Sequence, residues 1–169
     1  MDKKQFSSSE GAVKTILSIF FKIENPVIAR NKNGKPYLEN HMELFFSVSH
    51  TNEKLFIAFS DKNVGIDAEP LNRSIQLRSL LKKIPAIEQP EIQTPQDFLI
   101  HWTARESAVK WLDSTLAEEL KKLVFVKRIL QHTDGNHLPR ITQLFIENHS
   151  VSVCCERDFS TAEQIHIQK

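Results

Sequence analysis

A pattern typical of a helix followed by several short strands occurs twice along the chain, and this recurrence restricts the folds it can adopt. The first helix is predicted from Ser9 to Lys22 and the second from Gln96 to Leu112. The predicted strands are Val27 to Arg30, Leu44 to Ser49, Leu55 to Phe59, Val64 to Glu69, Phe125 to His132, Ile141 to Glu147, Ser150 to Cys155 and Gln164 to Ile167. This order of helices and strands predicts an α+β fold.

Short polar turns connect the strands between Leu44 and Glu69, which predicts an antiparallel meander. A short basic helix is predicted from Ser74 to Lys83, with Ser74 as its cap. The segment from Ile84 to Gln96 contains three prolines, which exclude regular structure. Asp134-Gly135 and Asn148-His149 are predicted hairpin turns.

The composition excludes several classes of protein. Of the 169 residues, 40% are apolar and 25% are charged, which is ordinary for a globular protein and unlike a disordered chain. The net charge of +1 gives no electrostatic support for nucleic-acid binding, and no apolar run approaches the ~18–20 residues of a membrane span. The two cysteines, Cys154 and Cys155, are adjacent on a predicted strand and point to opposite faces, so we expect packing residues in a reducing cytoplasm.

The strand from Val64 to Glu69 carries two carboxylates on one face. Asp67 and Glu69 are two residues apart, and two such charges repel unless a proton or a cation lies between them. Mg²⁺ prefers oxygen ligands of this kind. The alternative is a solvated face of an edge strand, and the pair alone favours that alternative.

The second predicted helix carries Glu106 and Lys110, which lie four residues apart on one face. This spacing suits a functional pair and equally suits an ordinary surface ion pair. Trp102 belongs to the predicted buried stripe of the same helix.

Two further segments have residues that can bind anions. Ser49 and His50 end a predicted strand, where a hydroxyl, a ring and backbone N–H groups can donate to a phosphate. Gly34, Lys35 and Pro36 form a turn that can present the Lys35 ammonium to an anion. The alternatives for Ser49 and His50 are a capping serine and an exposed histidine.

Taken in order, Gly-Lys-Pro, Phe-x-x-Ser-His-Thr, Val-Gly-Ile-Asp-x-Glu and Trp-Thr-x-x-Glu-Ser-x-x-Lys resemble the 4′-phosphopantetheinyl transferases of the surfactin-synthetase-activating type. The resemblance runs from about Ser9 to the C-terminus. It implies one domain over residues 1–169, made of two related halves (about 1–62 and 63–169). Each half would pack a helix on an antiparallel sheet, with the site in the cleft between them.

The resemblance also implies an activity. Such enzymes transfer the phosphopantetheine arm of coenzyme A to a serine of an acyl or peptidyl carrier protein and release 3′,5′-ADP. The carrier would belong to fatty acid, polyketide or nonribosomal peptide biosynthesis. The implied roles are Mg²⁺ ligation by Asp67, Glu69 and Glu106, general base catalysis by Glu106, pyrophosphate binding by Lys110, 3′-phosphate binding by Ser49 and His50, and a place near the adenine for Lys35, with Pro36 fixing its loop.

The segment from Arg73 to Lys83 follows the carboxylate strand, contains four basic residues and has no acidic residue. Because carrier proteins are acidic around the modified serine, we expect Arg78 and Lys82 to attract the carrier, with Leu77 or Leu81 in contact with it. The alternative is a helix packed on the core with a solvated basic side. We expect no nucleic-acid or membrane partner, and the oligomeric state stays open.

A binding module is the alternative to an enzyme. Relatives of this type have several tens of further residues ahead of the first helix, including basic residues that contact the 3′-phosphate. A chain lacking them could bind coenzyme A or a carrier without catalysis, although all three carboxylates and Lys110 are present. A carrier protein itself, suggested by Ser114, is excluded by the high strand content.

Overall fold

The computed structural model describes residues 3–126, 129–135 and 137–163, with side chains from Ser9 onward. Four α-helices and nine strands follow one another in this part of the chain, which confirms the α+β class. They are α1 (Lys3–Phe20), β1 (Ile28–Arg30), β2 (Pro36–Leu38), β3 (Phe45–His50), β4 (Leu55–Ser60), β5 (Val64–Pro70), α2 (Leu77–Leu81), α3 (Pro95–Leu112), α4 (Leu116–Glu119), β6 (Leu123–Val126), β7 (Ile129–His132), β8 (Ile141–Ile146) and β9 (His149–Cys155).

The pairings between strands are all antiparallel, as expected, but the meander is wrong at its third strand. β3 pairs with β4, whereas β5 is paired with β9, from Val64 opposite Cys155 to Pro70 opposite His149. β8 completes that three-stranded sheet, and β1–β2 and β6–β7 form two separate hairpins. Short turns indicate where strands begin and end, but the choice of a distant partner depends on packing that local pattern does not contain.

β3 and β5 lie side by side through side chains instead of a backbone ladder. The N–H groups of Ile66 and Ala68 donate to the hydroxyl oxygens of Ser47 and Ser49, each at 3.1 Å. Both strands therefore run in the same direction. We call this junction, formed by residues 47–49 and 66–68, the seam.

α3 lies across the β5–β9 pair. Thr94 and Asp97 form a capping box at its N-terminus, and Pro95 fills the first turn. At Gly65 the helix comes so close that a Cβ would meet the carbonyl oxygen of Ser107 and lie 2.6 Å from the backbone nitrogen of Trp111. Glycine at position 65 therefore lets α3 approach β5.

Alternation along β5 and β9 separates two environments. The face under α3 carries Gly65 and, from β9, Ser150 and Ser152, whose hydroxyls lie 3.0 and 2.8 Å from that of Thr103. The opposite face contributes Ile66, Ala68, Val151, Val153 and Cys155 to a core shared with Phe56 and Ala58 of β4. Because Asp67 and Glu69 alternate with Ile66 and Ala68, they lie on the face covered by α3.

Cys154 and Cys155 are both buried and unpaired, as the packing role predicts.

Several predicted boundaries need correction. The helix expected from Ser74 to Lys83 is only Leu77–Leu81, and its N-cap is Gln76, which makes no side-chain cap. The strand expected from Phe125 to His132 is the hairpin β6–β7, and the β8–β9 turn is Glu147-Asn148, with Glu147 at φ 49°. The predicted strand from Gln164 to Ile167 lies outside the described residues. Among the helices of the described part, none combines the length and apolarity that crossing a membrane requires.

Candidate functional site

Asp67 lies at the seam and is 7% exposed. Its Oδ1 accepts a hydrogen bond from the hydroxyl of Ser49 at 2.9 Å and one from the ammonium of Lys110, also at 2.9 Å. β5 thus places this carboxylate between β3 and α3, where it accepts hydrogen bonds from both elements.

Lys110 closes the seam from the side of α3. Its ammonium donates to the carbonyl oxygen of Val48 in β3 at 3.2 Å and to that of Ile66 in β5 at 2.8 Å, in addition to Asp67. Lys110 is therefore paired with Asp67 at the seam and not with Glu106 in the surface ion pair that the sequence also allowed. One side chain satisfies two backbone acceptors that the missing ladder leaves open.

Glu106, one helical turn before Lys110, is a partly buried carboxyl among other acids. Burial, together with the charge of Asp67 and then that of Glu69, raises its pKa to about 7, against the opposing effect of Lys110. Trp102 donates a hydrogen bond that also opposes the rise. The carboxyl therefore changes between its acid and base forms near neutral pH, which suits proton transfer.

Glu69 has a cationic partner of its own. The tight turn in which Arg73 N donates to Pro70 O at 3.0 Å brings the Arg73 guanidinium onto the Glu69 carboxylate as an ion pair. The side chain of Glu69 is 18% exposed and that of Arg73 is 52% exposed. Sequence reasoning assigned Arg73 to the carrier-docking segment, although the opposite charges four residues apart were a signal for this contact.

The residues expected to bind the nucleotide lie in two places. Ser49 is buried at the seam beside Asp67, and His50 follows it at the exposed end of β3. Lys35 instead donates to Asn63 Oδ1 at 2.8 Å, and burial lowers its pKa while Asp113 opposes the shift. Asn63 precedes Asp67 by four residues, about 13 Å of extended chain. Lys35 and Pro36 thus lie near the N-terminal end of β5, whereas Glu69 lies near its C-terminal end.

The chemistry of the three acids fits a hard divalent cation. Within residues 3–126, 129–135 and 137–163, no three His, Cys, Asp or Glu side chains are gathered closely enough to hold an ion as they stand. Asp67, Glu69 and Glu106 nevertheless interact electrostatically, since two of them raise the pKa of the third. They offer carboxylate oxygens only, which Mg²⁺ prefers. A cation would offset the burial and the repulsion that together raise the pKa of Glu106.

The segment expected to contact a carrier presents its basic side to solvent. Arg78 is exposed on α2 and Lys82 is exposed at its C-cap, and both line a shallow surface groove. Leu77 and Leu81 are half-buried and pack against the core around Ile84 and Phe98, Leu99 and Ile92. The apolar side of α2 therefore anchors it, and any partner would meet mainly its basic side.

Sequence reasoning missed a buried ion pair behind the site. Arg105 and Glu88 are both 0% exposed and are joined by a hydrogen bond, and Arg105 also donates to Leu123 O at 3.3 Å. The pair ties the proline-rich segment to the helix turn that carries Glu106. Charged side chains are expected at the surface by default, so the sequence held no signal for this burial.

No family model matches the chain, and no curated protein matches its sequence.

Proposed function

We propose that this chain is a 4′-phosphopantetheinyl transferase with the fold of that superfamily, two related halves that each pack a helix on an antiparallel sheet. It would transfer the phosphopantetheine arm of coenzyme A to a serine of an apo carrier protein. The observation that carries the proposal is Glu106, a carboxyl with a pKa of about 7 beside Asp67 and Glu69. This is the state expected for a group that exchanges a proton in the cell.

Mg²⁺, held by Asp67, Glu69 and Glu106, would supply charge neutralisation for the pyrophosphate of coenzyme A. Glu106 accepts the proton of the carrier serine while the serine oxygen attacks the phosphorus of the phosphopantetheine arm. The P–O bond to 3′,5′-ADP then breaks, and the leaving phosphate takes the electron pair. Phosphoryl transfer depends mainly on positioning and charge stabilisation, which this donor set supports.

Lys110 has two assigned tasks in this proposal. Its ammonium holds Asp67 in place across the seam and stands as a point charge for a pyrophosphate oxygen. Ser49 and His50 bind the 3′-phosphate at the end of β3, and Lys35 with Pro36 borders the adenine. Arg78 and Lys82 attract the acidic carrier.

The deciding experiment incubates a panel of apo carrier proteins with coenzyme A and Mg²⁺ and measures their intact mass. A gain equal to one phosphopantetheine arm on any carrier supports the proposal. Glu106→Gln should lower the rate at least ~100-fold, the lower range for loss of a general base. Glu39→Gln, at an exposed carboxylate outside the site, is the matched control. No mass gain on any carrier would reject the activity.

One observation favours a second candidate, a module that binds coenzyme A or a carrier without catalysis. Asp67 and Glu69 already have cationic partners within the chain, Lys110 and Arg73. A site whose acids are neutralised in this way can persist for stability alone. Binding of coenzyme A by calorimetry without any mass gain on the carriers would support this candidate.

A further inference from the structure

Two of the three site carboxylates are paired with cations of the chain, but the two pairs differ in how firmly each cation is held. Lys110 has two carbonyl acceptors besides Asp67, and its side chain is 29% exposed. Arg73 contacts Glu69 with a side chain that is 52% exposed, and Glu69 is the one hydrogen-bond partner the described residues show for its guanidinium. Arg73 is therefore the cation that can leave.

Leaving has a small free-energy cost for Arg73. A half-exposed guanidinium regains water as it departs, and exposed ion pairs contribute little to stability. Moving Lys110 would instead leave the carbonyls of Val48 and Ile66 without a donor at the seam. Loss of the Lys110 side-chain contacts therefore removes two hydrogen bonds to backbone carbonyls, whereas the described residues show no such bond for the guanidinium of Arg73.

We propose that Arg73 is an exchangeable substitute for the divalent cation, pairing with Glu69 until a metal ion takes that carboxylate. This inference rests on the proposed function, because it assumes that Glu69 is a metal ligand. It assigns Arg73 a positioning role that is distinct from carrier docking. In the absence of metal, its charge neutralises an acid that would otherwise repel Asp67 and Glu106.

The competition has a measurable consequence. A metal ion must displace the guanidinium from Glu69. A substitution that removes the guanidinium should therefore strengthen metal binding by the free energy that the Arg73–Glu69 pair contributes. For an ion pair this exposed, that is about two- to five-fold in the dissociation constant. Salt weakens both kinds of effect, but it screens a positive charge that acts only at a distance more strongly than it screens direct competition for Glu69.

The test is isothermal titration calorimetry of MgCl₂ and MnCl₂ into the wild type, Arg73→Ala and Arg78→Ala, at 0.05 and 0.3 M NaCl, with and without coenzyme A. Arg78, exposed on α2, is the matched control for the loss of one positive charge. Tighter binding by Arg73→Ala at both salt concentrations, with Arg78→Ala equal to the wild type, supports the inference. Circular dichroism establishes that both variants are folded.

Three results would overturn it in different ways. Equal metal affinity in all three proteins, or weaker binding by Arg73→Ala, rejects the exchange and leaves the transfer assay to decide the proposed function. Absence of metal binding in the wild type, with and without coenzyme A, rejects the exchange and the metal site together. An effect of equal size in Arg78→Ala means that Arg73 acts only through net charge.

Discussion

The ammonium of Lys110 lies 2.9 Å from Oδ1 of Asp67, so a residue of α3 is paired with a residue of β5 at the seam. The same ammonium satisfies a carbonyl of β3 and one of β5. A contact that is catalytic in the proposed function is therefore also structural. Its removal should affect stability even where no substrate is present.

Lys110→Met keeps the length of the side chain and removes its donors. We expect the free energy of unfolding in urea to fall by about 2 kcal/mol, because Asp67 and two carbonyls lose their partner in a partly buried place. Lys121→Met, at an exposed position, should change it by less than about 0.5 kcal/mol. An unchanged urea midpoint for Lys110→Met would show that the seam does not depend on the lysine.

Glu106→Gln should alter how stability depends on pH. In the folded protein the pKa of Glu106 is raised to about 7, so the folded state holds a proton that the unfolded chain releases above its ordinary value of 4.5. Stability therefore falls as pH rises from about 4.5 to about 7 and is level above that. Glu106→Gln should remove this decline and stabilise the metal-free protein at pH 8 more than at pH 5.

Thermal melting between pH 4.5 and 8.5 without divalent cations measures this effect. At pH 8 the gain is at most about 3 kcal/mol, the value of a shift of this size before solvent screening is discounted. Glu39→Gln should reproduce the wild-type profile. Parallel profiles for the wild type and Glu106→Gln would mean that Glu106 is ionised throughout.

Gly65→Ala and Gly11→Ala should act in opposite directions. At position 65 the added methyl meets backbone of α3, which cannot rotate away, so we expect a loss of at least about 3 kcal/mol or failure to fold. At position 11 in α1 the methyl meets nothing within 4 Å, and alanine should stabilise the helix by about 1 kcal/mol. Urea unfolding of both variants gives the comparison, and a well-folded Gly65→Ala would mean that α3 can move off β5.

Glu88→Gln tests the buried pair behind the site. It leaves the Arg105 charge buried without its counterion, which costs about 3 kcal/mol or more. Glu91→Gln, an exposed change in the same proline-rich segment, is the control and should be neutral. Equal urea midpoints for the two variants would show that water compensates the guanidinium.

Charge reversal on α2 tests the proposed carrier surface. Arg78→Glu combined with Lys82→Glu should raise the apparent KM for a carrier several-fold, leave that for coenzyme A unchanged and reduce the salt dependence of the reaction, because charges at a rim act mainly on association. Steady-state kinetics at two salt concentrations measure this. Wild-type behaviour toward the carrier at low salt would place docking elsewhere.

Local pattern predicted what depends on local physics. The predicted boundaries of α3 were right within one residue. Thr94, Pro95 and Asp97 carry the signals for the start of a helix, and Asp113, in a left-handed conformation, ends it. The placement of Asp67 and Glu69 on one face of β5 was also right, because alternation fixes the face.

The partners of those residues could not be read from the sequence. β5 joins β9, with paired residues that lie 79 (Pro70 and His149) to 91 (Val64 and Cys155) positions apart, and Lys110 reaches Asp67 instead of Glu106. Both outcomes depend on how closely α3 approaches the sheet at Gly65. α2 is shorter than expected because Ser74 makes no cap and the packing of Leu77 and Leu81 orders only five residues.

A backbone ladder is chemically the same for every sequence, so point mutation can scarcely adjust its strength. The junction of β3 with β5 is different, since it is made of two serine hydroxyls and one ammonium. A single substitution at position 47, 49 or 110 can therefore change the distance and the angle between the two sheets. A lineage of such chains can widen or narrow the gap between β3 and β5 without gaining or losing a strand.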